Sequence, residues 1–127
     1  MDASVDYLKH AKDAIKTEQH ALDLLIEQLD ERFVTACHLI ENCQGRVVVT
    51  GMGKSGLIGR KIAATFASTG TPSFFMHPGE AGHGDLGMLV KGDVLIGISN
   101  SGESDEIRTL LLVVKKLGIP LISISRD

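Results

Sequence analysis

Val94-Leu95-Ile96-Gly97-Ile98-Ser99-Asn100-Ser101-Gly102-Glu103-Ser104-Asp105-Glu106 is the stretch whose reading decides the fold. Its first five residues are a nearly continuous apolar run, the pattern of a strand buried on both faces. Three hydroxyls and a glycine then fall within positions 99–104, and Ile107, Leu110, Leu111, Val114 and Leu117 follow at helical spacing. A strand that empties into a serine-rich turn and then a helix start is a natural anion cradle. The first N–H groups of a helix have no internal acceptor, and the helix dipole adds partial positive charge there. Serine hydroxyls add donors with little bulk. The same residues also make an ordinary helix cap, so the rest of the chain has to decide between the two.

Working outward, strands alternate with helices. Arg46 to Thr50 is a short β-branched run that ends in Gly51-Met52-Gly53-Lys54-Ser55-Gly56, and Leu57, Ile58, Ile62, Ala63 and Phe66 continue as a helix to about Ser68. Pro72 to Met76 reads as a second strand, His77 to Gly92 as a long turn-rich segment, Val94 to Ile98 as the third strand and Leu121 to Ser125 as the fourth. The helix between the last two runs from about Glu103 to Leu117, with Gly118 and Pro120 ending it. Ahead of all this, residues 4 to 30 predict a long amphipathic helix on Val5, Leu8, Ala11, Ile15, Leu22, Leu25, Ile26 and Leu29. A second helix spans about Glu31 to Cys43, with Gly45 suited to its C-terminal cap. The expected architecture is a three-layer α/β/α fold, a flavodoxin-like or Rossmann-like parallel sheet behind two N-terminal helices. Ligands of such sheets bind beyond the carboxyl ends of the strands. Residues 51–56, 77–87 and 99–106 converge there, which lifts the anion-site reading above the simple cap.

Composition narrows the function. At 127 residues the chain is one domain, and a net charge of −3 provides no basic field for nucleic acid. The polar start lacks a signal-peptide core, and no apolar run approaches the roughly 18 residues of a membrane span. Cys37 and Cys43 form no CxxC, so free thiols and a cytoplasmic location are expected. His10, His20 and His38 show no partner spacing and read as surface or packing residues.

Two motifs fail on inspection. Gly53-Lys54-Ser55 resembles the end of a P-loop, but GxxxxGK[ST] needs glycine where Val48 stands. Gly51, Gly53 and Gly56 satisfy GxGxxG, yet no acid closes strand two for a ribose, the first being Glu80 beyond Pro78 and Gly79. These glycines are better read as bringing Lys54 and free N–H groups to a small phosphorylated ligand. His77, Glu80, His83 and Asp85 could ligate zinc by residue type, but their spacing matches no established motif, and His83 reads as a polar group over the substrate.

VVVTGMGKSGLIGRKIAATFASTGTPSFFMHPGEAGHGDLGM followed by ISNSGESDEI closely resembles the sugar isomerase (SIS) domain of bacterial D-arabinose 5-phosphate isomerases, from about Gly45 onward. The resemblance implies an aldose–ketose isomerase that interconverts D-arabinose 5-phosphate and D-ribulose 5-phosphate and feeds Kdo and lipopolysaccharide synthesis. By position it implies Lys54, Glu106 and His83 as catalytic, His83 also touching substrate. It implies phosphate binding by Ser99, Ser101 and Ser104, with Gly53, Ser55, Gly70, Thr71, Asn100 and Gly102 completing the substrate-binding set. No cofactor is required on this reading; zinc at His77 is the one metal it suggests. Partners are the phosphosugar and other copies of the chain, as a homotetramer, with no nucleic acid and no membrane.

The chemistry agrees with these residue types. Moving a proton between C1 and C2 through an enediol needs a base over that edge and a cation or donors for the oxyanion. Glu106 suits the first role and Lys54 the second. The helix dipole lowers the pKa of a first-turn carboxylate, whereas burial or the neighbouring Glu103 and Asp105 would raise it. Family members continue with another strand, further helices, a further histidine and usually two CBS domains. Residues 1–127 are therefore expected to be one incomplete SIS domain, helical over 1–44 and α/β over 45–127, without CBS domains and with little or no activity alone. The competing reading is a non-catalytic phosphosugar-binding regulatory module of the same fold.

Overall fold

The computed structural model describes residues 4–82, 88–100 and 105–126, with only the backbone course for 81–82 and 105–107. The chain divides into two compact units, the first ending at Thr35 and the second beginning at Ala36.

In the first unit, α1 spans Tyr7–Gln28 and is capped by Asp6, whose carboxylate accepts from the Lys9 N–H at 3.0 Å. It buries none of its residues, so the apolar stripe read from the sequence is exposed along its length in the single chain. Helix α2, Glu31–Glu41, runs across the boundary between the units and is preceded by Asp30, whose carboxylate accepts from the Arg32 N–H at 2.9 Å. The Arg32 side chain, bonded to the same carboxylate, holds Asp30 below the usual carboxylate range. No helix of the described residues is long and apolar enough to cross a membrane.

The second unit is a four-stranded parallel sheet in the order β2-β1-β3-β4, built from β1 Val47–Gly51, β2 Ser73–Phe75, β3 Val94–Ser99 and β4 Leu121–Ser125. Helix α3, Gly53–Ser68, covers one face, where Ile62, Ala63 and Phe66 pack on Val47, Val49, Ile96 and Ile98. A short helix, α4, at Pro78–Gly82 follows β2. Helix α5, Asp105–Leu117, covers the other face, with Leu110 and Val114 on Val48 and Leu95. The three-layer architecture expected from the sequence is therefore present. Strand order reverses between β1 and β3, which makes the gap beyond their carboxyl ends the topological switch point.

Several local expectations are corrected. Helix α3 begins at Gly53, inside the segment read as a glycine loop. The segment read as turn-rich contains α4. Its signal is Pro78, because proline suits the first helical position, where the missing N–H has no acceptor to lose. Gly45 is not a helix cap, since α2 already ends at Glu41. It lies where β1's approach meets the turn into β3; a Cβ there would collide with the Asp93 carboxylate and the Gly92 carbonyl.

Two contacts set the strand register and the start of α3. Asp93, only 1% exposed, accepts from the Arg46 N–H at 2.8 Å and from the Val90 N–H at 2.9 Å. This carboxylate ties the entry of β1 to the turn before β3, so that Val47 pairs with Val94 and, at the far end, Gly51 pairs with Ile98. There α3 passes over β1 so closely that a Cβ on Gly56 would lie 2.6 Å from the Gly51 carbonyl oxygen. Replacing Asp93 with Ala leaves two backbone donors without acceptors and should cost about 3 kcal/mol in urea unfolding; a loss under about 1 kcal/mol would remove Asp93 from this role. Gly56→Ala should cost about 2 kcal/mol by overpacking α3 against β1, and a melting temperature equal to that of the parent protein would contradict the close approach.

Candidate phosphosugar site at the switch point

The carboxyl ends of β1 and β3 carry the groups from which a site can be built. Gly51 ends β1, and the chain turns at once into α3 through Met52, the N-cap, and Gly53, whose φ of +57° falls in the left-handed region that favours glycine. Met52 has no side-chain acceptor for the helix start. The first helical hydrogen bond runs from the Gly56 N–H to the Met52 carbonyl at 3.2 Å. The N–H groups of Gly53, Lys54 and Ser55 thus have no acceptor within α3, and the dipole concentrates positive potential there. Lys54 is exposed beside them and Ser55 half-buried, so a cation, open donors and a hydroxyl stand together at the switch point. This arrangement can hold an anion.

Across the gap, Ser99 is the last residue of β3 and is half-buried; Asn100 follows it, exposed, with its carbonyl accepting from the Arg126 N–H at 3.3 Å. Glu106 is the second residue of α5, which starts at this same edge of the sheet. Lys54, Ser55, Gly53, Ser99, Asn100 and the start of α5 are therefore brought to one edge by topology alone. Ser101, Gly102, Ser104 and His83 lie outside the described residues.

Gly70 and Thr71 do not join them within the chain. They precede Ser73, which pairs with Val47, and so sit at the amino ends of the strands, a strand length (roughly 15 Å) away. Their local role is to end α3: Gly70 has φ +99°, and the Thr71 N–H returns to the Phe66 carbonyl at 2.9 Å.

His77 follows β2 at the correct edge and caps α4, its Nδ1 accepting from the Gly79 N–H at 3.0 Å. A zinc-ligating histidine ordinarily donates through the nitrogen that does not bind the metal. Here Nδ1 accepts instead, and no group of three or more His, Cys, Asp or Glu among the described residues could hold a metal ion. The described residues do not fit a zinc centre. Sequence reasoning passes over Thr50 as strand filler. It is fully buried, and its Oγ1 has no hydrogen-bond partner among the described residues. Period-two alternation along β1 is the signal that would flag it as a polar residue facing the core.

Comparisons with known proteins place the chain in a family. The SIS domain family model matches residues 40–127. The chain is 54% identical over 125 residues to "Arabinose 5-phosphate isomerase KdsD" of Pseudomonas aeruginosa PAO1, which covers 98% of this chain and 38% of that protein. It is 56% identical over 120 residues to the protein of the same name from Escherichia coli K12, covering 94% of this chain and 37% of that one. The chain thus spans less than two fifths of the length of these relatives. Among solved structures, Escherichia coli CFT073 c3406 in complex with arabinose 5-phosphate superposes with a TM-score of 0.88 at 48% identity, over 99% of this chain and 67% of that one. On the match over residues 40–127, the chain belongs to the SIS domain family.

Proposed function

We propose that the protein to which this chain belongs is an arabinose 5-phosphate isomerase, converting D-arabinose 5-phosphate to D-ribulose 5-phosphate and back through an enediol. The observation that carries this is the 54–56% identity to KdsD proteins across nearly the whole chain, together with a neighbour solved with arabinose 5-phosphate. The placement of Lys54 and the α5 start at one sheet edge supports it.

On this reading the phosphate is held by the α3 N–H groups and by Ser99, Ser101 and Ser104, with Ser55, Asn100 and His83 completing the pocket. In the open-chain aldose the Glu106 carboxylate removes the proton from C2. The electron pair forms the C1–C2 double bond, and the former carbonyl oxygen O1 becomes an enediolate facing Lys54. The proton on Glu106 exchanges with solvent and Glu106 delivers a proton to C1, while the O2 proton passes to O1 and C2 becomes the carbonyl, so a ketose results with no net loss of atoms or electrons. The step calls on no cofactor or metal. Run from ketose to aldose, the reaction would supply D-arabinose 5-phosphate for Kdo and lipopolysaccharide synthesis in the cytoplasm. The uncovered apolar stripe of α1 supports assembly with further copies of the chain, as in a homotetramer.

The test uses the protein at the length of its relatives. Glu106→Gln should keep D-arabinose 5-phosphate affinity within about threefold while lowering kcat by about 10²-fold or more. Unchanged turnover would instead remove Glu106 from the mechanism. Lys54→Ala should lower kcat/KM by about 10²–10³-fold, and activity within a factor of a few of the parent protein would remove Lys54 from the mechanism.

A further inference from the structure

The two faces of the sheet differ at its carboxyl end. On the α3 face the rows remain apolar to the edge: Val49–Ile96–Ile122, then Gly51–Ile98–Ile124. The α5 face begins in the same way, with Val48–Leu95–Leu121 in the core. Alternation along each strand then places Thr50 of β1, Gly97 of β3 and Ser123 of β4 on that same face, in one register row, and Ser99 with Ser125 in the next. The apolar floor thus changes within one pleat to hydroxyls flanking a glycine, directly below the switch point.

Two observations indicate that this row is more than packing. Thr50 is fully buried, yet its Oγ1 finds no partner among the described residues, and a buried orphan hydroxyl is destabilising. Valine, the same shape without the hydroxyl, would remove that cost. Beside it, a Cβ built on Gly97 meets only the Leu121 Cδ1 among the described residues, at an ordinary 3.7 Å. Among the described residues nothing else comes within 4 Å of that position, which lies in the register between two hydroxyls, one buried and one exposed at Ser123. The row contains no lysine or arginine, so it suits neutral hydroxyl groups rather than a phosphate, whose donors lie at the α3 start.

We infer that Thr50, Gly97 and Ser123 form a subsite for the polyhydroxylated carbon chain of the ligand. Ser123 bonds a sugar hydroxyl, and the gap over Gly97 admits a sugar hydroxyl or the water that accompanies it, which pairs with Thr50 Oγ1. This rests on the phosphosugar reading above and adds residues that the reading did not contain.

The test is calorimetric binding to the full-length protein, with D-arabinose 5-phosphate and inorganic phosphate as separate probes. Gly97→Ala fills the gap with a methyl group that the described neighbours accommodate. It should raise the Kd for D-arabinose 5-phosphate at least tenfold while leaving that for inorganic phosphate within twofold. Thr50→Val should raise the sugar phosphate Kd threefold or more with a melting temperature at or above that of the parent protein, and Ser123→Ala should act in the same direction. Sugar phosphate binding within twofold of the parent in both Gly97→Ala and Thr50→Val would overturn the subsite, as would equal weakening of both probes. Should the parent protein bind D-arabinose 5-phosphate no more tightly than inorganic phosphate, the phosphosugar reading itself fails.

Discussion

Because the Asp93 carboxylate holds the entry of β1 against the turn leading into β3, the two strands run in a register that ends with Gly51 beside Ile98. That pairing sits at the point where strand order reverses, so the helices leaving β1 and β3 start side by side while covering opposite faces of the sheet. A hydrogen-bonded clamp at one edge of the sheet thereby determines what can meet at the other. The crossing of α3 over β1, permitted by the missing side chain at Gly56, brings the open N–H groups of residues 53–55 to that meeting point. With Lys54 next to them, the local potential favours an anion before any particular ligand is considered.

Most of the layer plan is legible in the chain, because buried parallel strands are short apolar runs and their crossover helices have a clear 3.6-residue period. The strands at 47–51, 94–99 and 121–125 lie within a residue of the expected bounds. Helix starts are harder. Gly53 and Lys54 carry no apolar signal, so the first turn of α3 reads as loop, although a helix start at that position is what makes the segment able to bind an anion. Pro78 falls in the segment read as turn-rich, whereas it marks the first position of α4.

The site is legible to a different extent from the fold. Residues that immediately follow strands, such as Lys54 and Ser99, stand out because strand ends define the ligand edge of this architecture. Gly70 and Thr71 enter only through the family resemblance; they precede β2, so within the chain they lie at the opposite edge of the sheet from Lys54. His77 illustrates a third limit: residue type allows metal binding, but its Nδ1 is committed to the Gly79 N–H, a fact that no spacing rule encodes. Thr50 and Ser123 share a row only through the strand register, so neither can be paired with the other from sequence.

Proton transfer through an enediol at this edge of the sheet leaves a label that proton NMR in deuterium oxide reads. The protein at the length of its relatives would be incubated with D-arabinose 5-phosphate and the product examined at C1. D-Ribulose 5-phosphate carrying solvent deuterium at C1 is the expected product. Absence of any ketose, or ketose formed without deuterium as in a direct hydride shift, would contradict such a transfer.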